Sequence, residues 1–316
     1  MEVIHLTVER KQMLKNLTPS SAAIGFFDGV HLGHQRVIRK ALEVAEERGL
    51  VSAVFTFDPS PKAVLGNPDD VKYITLLEDK VRLIQSLGVE RLFIIPFTRE
   101  FSSLPPETFI EEYIIGMQVK HLVCGFDFTY GRFGKGSVDT LGIHAKNRFT
   151  YGTIEKVEKD GQKISSTAIR QMIEAGELDR VPEYLGRRFT TSGTVIPGER
   201  RGRKIGYPTA NIRVDERYVL PKNGVYIARL RIGGNWHPGV LNIGFKPTFQ
   251  TDRLNRSIEI HLLDFDRNIY GEKVEIEWHK RIREERKFPS VEALIRQLER
   301  DTETARQYFQ TFRGLE

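Results

Sequence analysis

Cysteine is almost missing from this chain: Cys124 is the only one in 316 residues. A lone thiol excludes a disulfide framework and leaves too few thiolates for a metal cluster, which suits a reducing compartment. Long apolar runs are missing too. No segment approaches the roughly 18 residues that a membrane span needs, and the opening MEVIHLTVERKQ carries charges where a secretory leader needs an apolar stretch. The expected location is therefore the cytoplasm, with no membrane partner. Neither charge sign dominates, since 48 Lys and Arg stand against 42 Asp and Glu and the two signs alternate along most of the chain. A solvated mixed surface accounts for most of that balance, and the excess of +6 leaves nucleic acid or a polyphosphate small molecule as partners for local basic clusters. Repeats and low-complexity tracts are absent. What is present is an ordinary globular composition, 40% hydrophobic and 28% charged, over a length better served by two cores than by one.

The first half alternates short β-rich runs with helical periodicity. AAIGFF, VSAVFTF, RLFIIPF, KHLVCGF and FTYGTIEKV read as strands. QRVIRKALEVAEERG and LLEDKVRLIQSLG carry apolar residues three and four apart and stop at a glycine. This order predicts a doubly wound parallel sheet, whose ligand crevice lies beyond the carboxyl ends of its strands. A further helix is expected from Ser166 to Glu174, capped by Gly176. Beyond about residue 187 the pattern switches to period-2 segments: TSGTVIPG, GVYIARLRIGG, WHPGVLNIGF, RSIEIHLLDF and KVEIEWHKRI. They predict a small antiparallel barrel or sandwich, with Trp236 and Trp278 as strand residues. An amphipathic helix over residues 290–309 closes the chain, its Leu294, Leu298 and Ala305 expected to pack on the barrel. The domains are expected to be 1–186 and 187–316.

The stretch GFFDGVHLGHQ, residues 25–35, falls at the end of the first strand. A helix beginning near Leu32 offers unpaired N–H groups and a partial positive charge, and glycines 25, 29 and 33 let a bulky anion approach the main chain. His31 and His34, three residues apart, would donate hydrogen bonds to charge developing at phosphorus. The plain alternative makes His31 a loop residue and His34 an exposed helical one. Zinc is disfavoured because HLGH lacks the glutamate of HExxH and no third ligand is near. GxGxxG is absent, and GRFGKGS at 131–137 fails as a Walker A loop because Thr129 stands where its leading glycine belongs.

GFFDGVHLGH, FTFDPSP, CGFDFTYG and ISSTAIR, in that order, resemble the adenylyltransferase half of prokaryotic bifunctional FAD synthetases (riboflavin kinase/FMN adenylyltransferase), and the resemblance extends over essentially the whole chain. It implies that ATP binds under the HxGH turn, through Gly25, Phe26, Asp28 and Gly33, and that the phosphate of FMN attacks its α-phosphorus and releases pyrophosphate. His31 and His34 would stabilise that transfer. The hydroxyls of Ser166 and Thr167 and the guanidinium of Arg170 would hold the β- and γ-phosphates, although hydroxyls at a helix start also serve as plain caps. Asp127 would lie near the flavin phosphate or the metal.

GTVIPGERRGRKIGYPTANI resembles the ATP-binding segment of riboflavin kinases. Gly198 and Gly206 would admit phosphate, Arg200, Arg201, Arg203 and Lys204 would neutralise it, and Thr209 and Asn211 offer oxygen ligands to Mg²⁺. By composition alone a basic glycine-rich loop on an RNA-binding barrel fits equally well. PTAN favours the first reading, because two small polar groups at i and i+2 on one strand face suit a hard cation better than base stacking. The resemblance makes Glu259 the general base for the riboflavin 5′-hydroxyl, where the alternative is an outward strand glutamate. It makes Arg283 and Arg286, with Phe288, a cover over the flavin ring, where a basic helix start would look much the same. ATP, riboflavin and FMN are thus the expected small-molecule substrates, with Mg²⁺ as cofactor and no nucleic acid partner. The competing expectation is a nucleotidyltransferase for another acceptor, carrying a ligand-sensing or RNA-binding barrel. Oligomeric state is left open.

Overall fold

Residues 22–24, 53–57, 92–95 and 122–124 are buried without exception, as strands covered on both faces must be. The computed structural model describes residues 1–7, 17–198, 202–246 and 255–312. Strands β1 (Glu2–His5), β2 (Ser20–Ile24), β3 (Val51–Asp58), β4 (Arg91–Pro96), β5 (Val119–Gly125) and β6 (Thr150–Ile154) form one sheet in the order β1-β4-β3-β2-β5-β6. Every pairing in it is parallel. Alternation along β3 divides its residues between two cores: Ala53, Phe55 and Phe57 join one, Val54 the other. Helices α1 (Leu32–Arg48) and α2 (Leu77–Ser86) follow β2 and precede β4, and their Ile38, Ala41 and Ile84 complete the second core. Helix α3 (Val138–Ala145) sends Leu141 and Ala145 into the first. Cys124 in β5 is buried, and burial pushes its thiol up to about 11.

The chain leaves β2 toward β3 on one side, while β5 pairs on the other, so β2 and β5 border the switch point where connections diverge and a crevice opens. The doubly wound parallel sheet expected from the sequence is what forms. The edge strand β1 was not expected, because MEVIHL has charged flanks and only four residues of it pair.

Contacts divide the chain into two units, Met1–Ser166 and Thr167–Glu316. Helix α4 (Ser166–Ala175), which lies in the second from Thr167 onward, ends at Gly176 with φ 77°, the left-handed cap expected there. Strands β7 (Phe189–Ile196), β8 (Ala210–Val214), β9 (Gly224–Ile232), β10 (Asn235–Lys246), β11 (Asn255–Leu262) and β12 (Lys273–Arg283) close into an antiparallel barrel, ordered β7-β8-β11-β10-β9-β12. This settles the choice between barrel and sandwich. Strand β8 escaped the pattern because its core contribution is one buried residue, Ile212. Trp278 is fully buried and donates from Nε1 to Thr191 Oγ1 at 3.0 Å, a barrel-core residue with its polar atom satisfied. Helix α5 (Val291–Thr311) starts at Ser290, whose hydroxyl caps the Ala293 N–H, and lays Ala305 against Val225, Ile227 and Val240.

Candidate active sites

The first site is a turn held under strain between β2 and α1. Phe27, Gly29 and Val30 all have left-handed backbones, with φ 54°, 82° and 41°. For the two non-glycine residues that conformation costs on the order of 1–3 kcal/mol each. Asp28 is buried, and its Oδ1 accepts from the N–H groups of Ile74 (3.0 Å) and Thr75 (3.1 Å). Thr75 Oγ1 accepts from Gly29 N–H at 2.9 Å. The Phe26 carbonyl accepts from Thr56 Oγ1 at 3.0 Å and from Lys80 Nζ at 2.8 Å. Ser166 Oγ donates to the Asp28 carbonyl at 2.9 Å, and Gly25 N–H to the Phe55 carbonyl at 3.1 Å. Asp28 therefore shapes the turn through these main-chain bonds.

The two imidazoles lie at the start of α1. His31 is its N-cap: Nδ1 accepts the His34 N–H at 3.2 Å, which leaves the proton of the neutral ring on Nε2. The rings of His31 and His34 stack with centroids 3.5 Å apart, and Phe27 meets His34 edge-on. Gly33 makes room for this pair, since a Cβ there would stand 3.1 Å from the His31 ring. Burial, reinforced by the neighbouring His31, Lys80 and Lys163, holds His34 well below the usual histidine range. His34 is thus neutral near pH 7 and able to donate one hydrogen bond without carrying charge. The expectation of two imidazoles on one side of the first helical turn is met in closer form, as a stacked pair.

Past the end of β5, Asp127 lines a cavity of about 400 Å³ with Phe126, Phe128, Ser137 and Asp139. Its carboxylate pairs with Lys163 at 2.8 Å, and the same ammonium lies 4.4 Å from the Phe126 ring centroid. Thr167 and Arg170 sit on α4, whose residues from Thr167 onward belong to the second unit.

The second site is set by strand pairing. Asn211 of β8 stands opposite Glu259 of β11, and Glu259 is in turn opposite Asn242 of β10. Thr209, just before β8, donates from Oγ1 to Glu259 Oε2 at 3.4 Å. His261 Nδ1 lies 2.8 Å from the Pro208 carbonyl, fixing the start of the PTAN segment. Gly198 is required by close approach: a Cβ there would fall 2.0 Å from Asn211 Nδ2. The Gly202–Ile205 turn carries Arg203 and ends at Gly206 with φ 83°. Arg200 and Arg201 lie outside the described residues.

Two cavities meet at Thr209. One, of about 360 Å³, is lined by Arg203, Pro208, Phe265, Asn268 and Tyr270. The other, of about 280 Å³, is lined by Asn242, Glu259, Arg283, Phe288 and Leu298. Arg283 is held by a bidentate pair to the buried Asp301 of α5, Nη2 donating to Oδ2 at 2.7 Å and Nε to Oδ1 at 3.1 Å. Arg286 bonds Gln297, and the guanidinium carbons of Arg283 and Arg286 lie 5.8 and 5.1 Å from the Phe288 ring centroid. The closing helix therefore does more than the core packing expected of it. Ala305 packs on the barrel, but Leu294, Leu298 and Asp301 wall this cavity. Asp301, Lys80 and Thr75 were not anticipated. Each works through a partner distant in sequence, and no local motif marks it.

The sequence profile of the FAD synthetase family matches residues 13–168, and that of the riboflavin kinase family matches residues 185–309. A bifunctional riboflavin kinase/FMN adenylyltransferase from Listeria monocytogenes serovar 1/2a is 48% identical over 288 residues, 91% of this chain and 91% of its own. The one from Bacillus subtilis strain 168 is 44% identical over 315 residues, 99% of this chain and 100% of its own. A solved structure from Streptococcus pneumoniae, described as a macrolide-efflux protein, matches with a TM-score of 0.87 at 34% identity, covering 97% of this chain and 99% of that one. Among the described residues no helix is long and apolar enough to cross a membrane. With the HxGH turn inside the first matched segment and PTAN inside the second, this chain belongs to the bifunctional riboflavin kinase/FMN adenylyltransferase family.

Proposed function

We propose that the chain makes FAD in two ATP-dependent steps, with residues 187–316 converting riboflavin to FMN and residues 1–186 converting FMN to FAD. The observation that carries this reading is the junction of two cavities at Thr209 with Glu259 beside it, a layout in which a phosphoryl donor and a hydroxyl acceptor meet at one point. The donor ATP takes the cavity with Arg203, passing its phosphates over Gly198 and Gly206. Riboflavin takes the cavity with Arg283 and Arg286, its ring against Phe288. Glu259 accepts the proton of the 5′-hydroxyl as that oxygen attacks the γ-phosphorus and ADP departs. Thr209 and Asn211 suit Mg²⁺, being neutral oxygen donors next to a carboxylate; the ion, when bound, neutralises phosphate charge.

In the first unit, an oxygen of the FMN phosphate attacks the α-phosphorus of ATP and the bond to the β-phosphate breaks, releasing pyrophosphate. His31 and His34 donate to the oxygens where charge builds, and the N-terminus of α1 adds its partial charge. Ser166 binds the departing phosphates. Asp127, paired with Lys163, lines the cavity beyond β5 that would receive FMN. A cytoplasmic location is part of this reading, since a chain with a single cysteine suits a reducing compartment. An RNA-binding or sensing barrel is not favoured, since neither role needs Glu259 facing Thr209. The efflux description of the pneumococcal structure is not carried over.

The test supplies the full chain with riboflavin or with FMN, plus ATP and Mg²⁺, and follows FMN, FAD and pyrophosphate. Absence of FMN from the riboflavin reaction would refute the kinase assignment, and absence of FAD from the FMN reaction would refute the other.

A further inference from the structure

The turn over residues 25–31 keeps its shape only while its surroundings hold it, and much of that hold comes from one stretch, residues 74–80, that carries none of the expected substrate ligands. Ile74 and Thr75 bind Asp28 and Gly29 through three hydrogen bonds. Lys80 completes the set. It is 2% exposed, its Nζ lies 2.8 Å from the Phe26 carbonyl and 3.3 Å from Thr56 Oγ1, and it covers the Phe26 ring at 4.1 Å. A buried ammonium is unfavourable unless it is paired and hydrogen-bonded, and an apolar side chain would otherwise fill such a place more stably. The charges of Asp28 in the turn and Asp58 at the end of β3 act on it, and it in turn acts on His34 of α1.

The geometry points to Lys80 as a positioning residue for adenylyl transfer: its ammonium fastens the Phe26 carbonyl and thereby fixes the strained turn that sets the His31–His34 pair at the start of α1. This rests on the reading of the first site given above. Burial lowers Lys80 to about 8, against the pull of Asp28 and Asp58, so the fastening charge is lost in mildly alkaline solution.

Lys80→Met keeps the length of the side chain and removes its charge. In the full chain, kcat for FAD formation from FMN and ATP should fall on the order of 100-fold, because small displacements of positioned groups are that costly. KM for ATP and FMN should stay within about threefold, and FMN formation from riboflavin should be unchanged. The parent's FAD-forming rate should decline above about pH 8, as Lys80 loses its proton, and that decline should vanish in Lys80→Met. Thr56→Val removes the other hydrogen bond to the same carbonyl and should lower kcat in the same direction by roughly two- to tenfold. Parental kcat and pH profile in Lys80→Met would overturn the assignment, as would a raised KM for ATP at parental kcat, which would make Lys80 a substrate ligand. Should Lys80→Met fail to fold, parental kcat in Thr56→Val overturns it. A parent that makes FMN from riboflavin yet no FAD from FMN and ATP overturns the reading of the first site, and the role of Lys80 with it.

Discussion

The two proposed phosphate sites are built from opposite materials. In the first, the histidine pair and the turn before it lie within ten consecutive residues, 25–34, and their geometry comes from a left-handed turn clamped by buried polar contacts from a neighbouring crossover. In the second, Thr209 and Glu259 are fifty residues apart and meet only because β8 pairs with β11 in one register. A turn under strain can be mis-set by a change in what holds it, whereas a paired-strand site is robust until the register or the facing residue itself is altered.

The sharpest way to separate the two is Glu259→Gln. It should lower FMN formation by roughly 10³-fold, within the span of general-base effects, and leave FAD formation from supplied FMN unchanged in a coupled pyrophosphate assay. Combined His31→Ala and His34→Ala should do the reverse, lowering FAD formation by about 10²- to 10³-fold with FMN formation intact. If both activities fall together in a folded variant, the comparison is broken. Asp301→Ala leaves Arg283 unpaired at the cavity wall; loss of a buried partner destabilises by roughly 3–5 kcal/mol, to be read by urea unfolding, together with a raised KM for riboflavin. Gly198→Ala should raise KM for ATP in the kinase reaction by about tenfold, because Asn211 must shift to admit the methyl group. The smallest effect is expected from Arg306→Ala at the exposed pair with Asp264, with no measurable change in Tm or in either activity.

Proton dependence sharpens the contrast further. His34 stays uncharged in the fold through the range where an ordinary histidine titrates, so its protonation should not depress FAD formation between about pH 7 and 6. Its linkage has a definite sign. A histidine whose folded pKa is lowered takes up its proton preferentially in the unfolded chain, so the stability it contributes is present above the unfolded pKa and declines as pH falls below about 6.5. Thermal melts of the full chain across that interval will show whether the first transition moves.

What was legible in the sequence follows the same division. Contiguous chemistry could be read directly: the parallel sheet, the helix starting at Leu32, the HxGH turn and the PTAN segment all depend on neighbours within a few residues. Strand β8 was not, because one buried residue does not make an alternating pattern. Asp28 was legible as part of the motif, but not its hold on the N–H groups of Ile74 and Thr75, which no local pattern could pair with it. Asp301 read as one more charge on an amphipathic helix until the barrel brought Arg283 to it.

Cys124 carries a practical consequence. Locked inside β5 with its thiol pushed up to about 11, it will not react with a maleimide at neutral pH while the sheet is intact. A cysteine introduced on the surface of either unit will then be the sole labelling point. Paired fluorophores attached this way, one per unit, would report how far apart the two stand as each substrate arrives, with no background from the native chain.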